Sequence, residues 1–146
     1  MDMVNFGPPD TVPERFGARR FVIRNPNVTL MRTTEENRAI GEWMGARINQ
    51  VEGPVRLLLP EGGVSALDAP GKPFHDPEAD AALFRALEQT IRQTAGRRIE
   101  RVKANINDDA SVAATTAAFL SVGPRRERTA RCRESNARRS WTGSGR

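Results

Sequence analysis

The chain's single histidine, His75, stands beside Asp76 at the end of a loop that opens with Glu61-Gly62-Gly63 and carries Ser65 and Asp68. A histidine set against carboxylates can move protons near neutral pH. No nucleophile accompanies it at a recognisable spacing. Ser65 lies in Gly63-Val64-Ser65-Ala66-Leu67, which lacks the second glycine of a nucleophile elbow. One histidine among scattered acids is a poor metal site, and the only cysteine, Cys132, lies far along the chain, so no metal is expected. Asp76 also has a plainer reading. It precedes Pro77, and Asp-Pro is a helix N-cap followed by proline at the first helical position. Capping is therefore ranked above catalysis for Asp76.

Two further clusters could meet a ligand. Gly62 and Gly63 would let backbone approach one closely. No Gly-Lys-Ser/Thr follows them, so they are not a phosphate loop, and a simple turn is the competing reading. Arg32-Thr33-Thr34 precede a helix whose free amides could cradle an anion. Against that, Thr33 and Glu36 have capping-box spacing, and Glu35 and Glu36 would repel a phosphate. With Asn25, the ligand-binding candidates are Asn25, Arg32, Thr33, Thr34, Glu61, Gly62, Gly63, Ser65, Asp68, His75 and Asp76. They fall in loops after strands, where open parallel sheets bind ligands, as do Asn105, Asn107 and Asp108.

The elements that must hold these loops follow from the hydrophobic pattern. Val4–Phe6 and Phe21–Arg24 read as strands, and Val28–Met31 as a strand extension or an irregular segment. The spacing predicts a helix from Thr34 to Val51 with Ile40, Trp43, Met44, Ile48 and Val51 inward. Val55–Leu59 is nearly continuous in apolar residues, as strands buried on both faces are. A helix from Pro77 to Thr94 should bury Leu83, Phe84, Leu87 and Ile91. Ile99–Lys103 reads as an edge-like strand. A last helix, capped by Asp108 or Asp109, should turn Val112, Thr116, Phe119 and Leu120 inward. Strands alternating with helices predict an α/β fold: a three-layer, Rossmann-like domain over residues 1–123, with a mostly parallel sheet of about four strands and helices on its faces.

Charge divides the chain. From Pro124 to Arg146 there are eight arginines and two glutamates, whereas Met1–Gly123 carries 15 basic against 16 acidic side chains. The high isoelectric point therefore belongs to residues 124–146, which lack Val, Ile, Leu and Met and are expected to be disordered. Their composition is also what a GC-rich coding region yields when read out of frame. Nucleic acid is accordingly not expected as a partner. No apolar run approaches the roughly 20 residues of a membrane span, and the start of the chain lacks the pattern of a signal peptide. No membrane partner and a cytoplasmic location are expected.

Four stretches together resemble a known family. They are Val4-Asn5-Phe6-Gly7-Pro8, Asn25 through Thr34, Pro60 through Asp68, and Gly71 through Asp80. In this order they are similar to the C-terminal part of the Tm-one-like ATP-binding family, an uncharacterised family that includes a plant tobamovirus resistance protein. The resemblance covers roughly residues 2–120 and implies a larger protein of two α/β subdomains, of which this chain is most of the second. It implies that ATP belongs with the first subdomain, so no cofactor is expected in this chain. The implied partner is that missing N-terminal subdomain, with a second copy of the chain as the other candidate. The function expected is a nucleotide-linked binding protein. The alternatives are an enzyme acting on a small acidic substrate through the loops after the strands, and a nucleic-acid-associated protein acting through residues 124–146.

Overall fold

The computed structural model describes residues 2–24 and 27–123. Asn25 and the arginine-rich segment 124–146 lie outside the described residues. The elements in chain order are β1 (Met3–Asn5), two short 3-10 turns (Pro9–Thr11, Glu14–Phe16), β2 (Phe21–Arg24), β3 (Asn27–Met31) and α1 (Thr34–Ile48). They continue with β4 (Val55–Pro60), α2 (Pro77–Thr90), β5 (Arg97–Val102) and α3 (Asp109–Val122).

The strands form two sheets. One is antiparallel, in the order β1-β3-β2, with Met3 opposite Met31 and Phe21 opposite Leu30. The other is a parallel pair, β4 and β5, with Leu57 opposite Ile99. The expected sheet of about four mostly parallel strands is thus corrected: the parallel sheet has two strands, and the first three strands pair antiparallel. The chain itself explains part of this. Only two residues separate Arg24 from Asn27, whereas parallel neighbours need a crossover of about a dozen. Two parallel strands do not make a doubly wound sheet, and the architecture described is α/β with small mixed sheets.

The core lies on one face of the parallel pair. Leu59 packs with Leu83, Phe84, Leu87 and Ile91, flanked by Ile40, Met44, Ile48, Leu57, Val64 and Ile99. The four residues expected to be buried from α2 are all in it. Ile91 follows the last turn in extended backbone, so α2 stops at Thr90 rather than Thr94.

The face of α1 differs from expectation. Trp43 and Val51 are exposed, and Val51 lies beyond the helix end. The residues α1 buries are Asn37, Gly41 and Gly45, four apart along one side. A Cβ on Gly41 would stand 2.7 Å from the Ala86 Cβ and 2.8 Å from the Leu83 carbonyl oxygen. One on Gly45 would stand 2.7 Å from the Thr90 Cβ. α1 therefore meets α2 backbone to backbone along a groove of missing side chains, and the bulky residues flank the contact.

Side chains alternate across a strand. Leu57 and Leu59 face the core, so Arg56 and Leu58 face the other side, where α3 packs on the strand pair. The inward face expected for α3 is also corrected. Val112, Thr116, Phe119 and Leu120 are exposed, while Ser111 is buried and Ala114, Ala118 and Val122 are half-buried. Small residues let the helix lie close to the strands, and the large ones are left outside.

Candidate functional site

The loop between β4 and α2 is built around one buried carboxylate. Asp68 is 1% exposed. Its Oδ2 accepts from the Val64 amide at 2.8 Å, and its Oδ1 lies 3.4 Å from Nδ1 of His75. The Ser65 hydroxyl accepts from the amides of Leu67 and Asp68 and donates to Asp2 Oδ2 at 2.7 Å. Asn105, after β5, locks the loop from outside: its side-chain amide reaches the carbonyls of Gly62, Ser65 and Asp68 at 2.9 to 3.1 Å.

The two glycines are explained by this packing. Gly63 has φ +117°, and a Cβ there would sit 1.6 Å from the Asp68 carbonyl oxygen. A Cβ on Gly62 would meet the Asn105 amide at 2.5 Å. Both positions exclude a side chain because the chain folds back on itself there.

Asp80, in the first turn of α2, is the group that composition and spacing passed over. It is 8% exposed. Burial, then a hydrogen bond to Asp68, then the charge of Asp68 push its carboxyl up from 3.8 to about 7. Two carboxyls this close, away from water, do not both ionise readily, and the pair holds a proton near neutral pH. Beside them is a recess of about 190 Å³ lined by Glu61, His75, Pro77, Asp80, Ala81, Phe84 and Arg101. It opens where β4 and β5 end. The His75 side chain is 30% exposed and stands between Asp68 and this opening.

Arg101 closes one wall. It binds Glu88 through Nε at 2.7 Å and Nη2 at 2.8 Å, and reaches Glu61 at 3.0 Å. Those carboxylates hold the guanidinium further into its charged form, and Arg101 in turn lowers the Glu88 carboxyl.

The pairing of His75 with Asp76 expected from their adjacency does not form. Asp76 is the N-cap of α2, its Oδ1 accepting from the Ala79 amide at 3.0 Å, while the partner of His75 is Asp68. Asp76 lines a different recess, with Arg32, Thr33 and Thr34 at the start of α1. There Thr33 forms a complete capping box with Glu36: the Glu36 amide donates to Thr33 Oγ1 at 3.2 Å, and the Thr33 amide donates to Glu36 at 3.0 Å. Arg19 pairs with Glu36 and lowers its carboxyl. The first turn of α1 therefore already holds a carboxylate where an anion would sit. Of the candidates named from the sequence, Glu61 and His75 line the recess with Asp80, and Gly62, Gly63 and Ser65 belong to the same loop, folded around Asp68 and Asn105. Arg32, Thr33, Thr34 and Asp76 form the second group. Among the described residues, no group of three or more His, Cys, Asp or Glu is placed to hold a metal ion.

These features define an α/β domain with a buried pair of carboxyls, Asp68 and Asp80, beside a recess near the ends of two parallel strands. The chain belongs to the uncharacterised protein family UPF0261, whose C-terminal domain matches residues 1–122. It is 55% identical over 123 residues to a UPF0261 protein of Rhizobium meliloti, covering 84% of this chain and 31% of that protein. A UPF0261 protein of Mesorhizobium japonicum matches with the same identity and coverage. The ToMV resistance protein Tm-1 of Solanum lycopersicum is 40% identical over 126 residues, covering 86% of this chain and 17% of its own length. The resemblance read from the four sequence stretches is thus confirmed. The chain spans about a third of the length of the bacterial relatives it matches. Among the described residues, no helix is long and apolar enough to cross a membrane.

Proposed function

We propose that the chain is one lobe of a ligand-binding α/β protein, and that its own part is proton exchange with a small ligand at Asp68, His75 and Asp80. In this reading any nucleotide is held by the portion of the family polypeptide that the chain does not span. The observation that carries the reading is the buried Asp68–Asp80 pair beside a recess at the carboxyl ends of β4 and β5. Below pH 7 Asp80 keeps its proton and donates to Asp68 or to an acceptor on a ligand. His75, in contact with Asp68 and half open to the recess, relays that proton. Arg101 already serves Glu61 and Glu88, so the recess presents no uncommitted guanidinium to an acidic substrate. A neutral ligand with a hydrogen-bond acceptor suits it better.

Carbon-detected NMR titration of the aspartate carboxyls tests the pair. Asp80 is expected to titrate at about 7 and to fall toward the ordinary carboxylate range in Asp68→Asn. An ordinary midpoint in the unsubstituted chain removes the reading. The same shift has a stability consequence. Between its ordinary value of 3.8 and about 7, the folded chain holds a proton that the unfolded chain releases. Stability from this group is therefore complete below the ordinary range and declines as pH rises toward 7. Asp80→Asn, which keeps a donor toward Asp68 without a titrating proton, should flatten that decline. ATP added to this chain in a calorimeter should give no binding heat at micromolar concentrations. A low-micromolar affinity would place the nucleotide here instead.

A further inference from the structure

The parallel strand pair carries α2 on one face and α3 on the other, and the edge of β4 away from β5 is open among the described residues. β4 reads Val-Arg-Leu-Leu-Leu-Pro, the pattern of a strand with neighbours on both edges, yet β5 is its only strand neighbour among the described residues. Val55 and Glu61 donate to β5 and its extension, so the alternate positions, Arg56 and Leu58, turn their backbone groups to the outer edge. No backbone hydrogen bond outside the β4–β5 ladder reaches either of them among the described residues. β5, by contrast, reads Arg-Arg-Ile-Glu-Arg-Val, and a charged strand is what protects a true edge.

α3 points the same way. From Ala110 to Val122 it has no charged residue and is mostly Ala, Val, Phe and Leu, whereas the outer face of a surface helix is ordinarily charged or polar. Here Val112, Phe119 and Leu120 are 57%, 68% and 73% exposed. Between α3 and β4 runs a groove of about 340 Å³ lined by Arg56, Leu58, Thr115, Ala118, Phe119 and Val122. The open edge and the apolar helix face thus meet at one continuous surface.

We infer that the outer edge of β4 and the exposed face of α3 form the joint to the portion of the family polypeptide that this chain does not span, which supplies a β-strand beside β4 and apolar cover over Phe119 and Leu120. The occupant is argued from length and pattern. The bacterial relatives extend to about three times the matched stretch, which is ample chain for a strand and its crossover. An apolar strand with an unpaired edge wants a strand, not a small molecule. The inference rests on the lobe reading above but not on its proton chemistry.

Hydrogen exchange tests it on proteins as they exist: this chain, and the complete Rhizobium meliloti relative, each corrected for its own intrinsic rates. Amides of the β4 stretch at Arg56 and Leu58, and of the second half of α3, should exchange at least about tenfold more slowly in the complete relative. The stretch around Trp43 should exchange alike in both. Slowing at the Trp43 face with none at β4 and α3 would move the joint elsewhere, overturning this surface while leaving the lobe reading intact. No slowing anywhere would overturn both. Running this chain at two concentrations about tenfold apart covers the remaining occupant. Protection of α3 that grows with concentration would mark a second copy and overturn the assignment.

Discussion

Both faces of the β4–β5 pair carry large apolar side chains, and the two end in opposite states. On the α2 face, Leu59, Leu83, Phe84 and Leu87 are sealed, because Gly41 and Gly45 let α1 close against α2 behind them. On the α3 face, Phe119 and Leu120 stand in solvent, because the helix lies on the sheet through Ser111, Ala114 and Ala118. Hydrophobicity alone does not decide which face becomes a core. The decision falls to where small residues permit close approach, since only interdigitated side chains lose their water and gain packing contacts.

Substitutions on the two faces should separate them cleanly. Leu87→Ala, on the sealed face, leaves a cavity among Leu59, Leu83 and Ile91 and should cost about 2–5 kcal/mol in a denaturant titration. A loss under about 1 kcal/mol would mean the sealed face is as loose as the open one. Gly41→Ala adds one carbon at the α1–α2 contact, 2.7 Å from the Ala86 Cβ. It should cost about 1–3 kcal/mol by overpacking, despite the better helix propensity of alanine. A stabilised Gly41→Ala protein would show that α1 is free to shift and that the glycine stripe does not set its position.

Asp76→Ala removes the N-cap of α2 and should cost about 1 kcal/mol, whereas His75→Ala should change stability little. Equal stability of Asp76→Ala and its parent would free Asp76 for a role in the recess it shares with Arg32 and Thr33. The smallest effect is expected at Phe119→Ala, within about 0.5 kcal/mol in this chain. A loss comparable to Leu87→Ala would show that the α3 face is already covered and would erase the contrast between the faces.

The candidate site was readable in its inventory and not in its pairing. Glu61, Gly62, Gly63, Ser65, Asp68 and His75 were all named from their place after an apolar strand, and they do converge. Adjacency suggested the wrong partner for His75, because neighbouring residues at a helix start point in different directions and Asp76 turns to its own helix amides. Asp80 carried no mark in the sequence. An acid in the first turn of a helix looks like a charge complementing the dipole. Its carboxyl is raised first by its own burial and then by Asp68, twelve positions earlier, beside it. Asn105 gave a faint signal as a polar residue after a strand, but its grip on three carbonyls of another loop was not written locally.

The sequence by itself determined what depends on near neighbours: the caps at Thr33 and Asp76, the strong strand from Val55, and the burial of Leu83, Phe84, Leu87 and Ile91. These follow from backbone geometry and short-range periodicity, which a stretch of chain carries with it. It determined the family as well, because four ordered motifs are a specific signature. Only the tertiary structure decided that the first three strands pair antiparallel, that glycines face α2, that α3 turns its large side chains outward, and that burial beside Asp68 raises the Asp80 carboxyl. Each of these depends on the distance between groups remote in the chain, and packing and desolvation act through that distance.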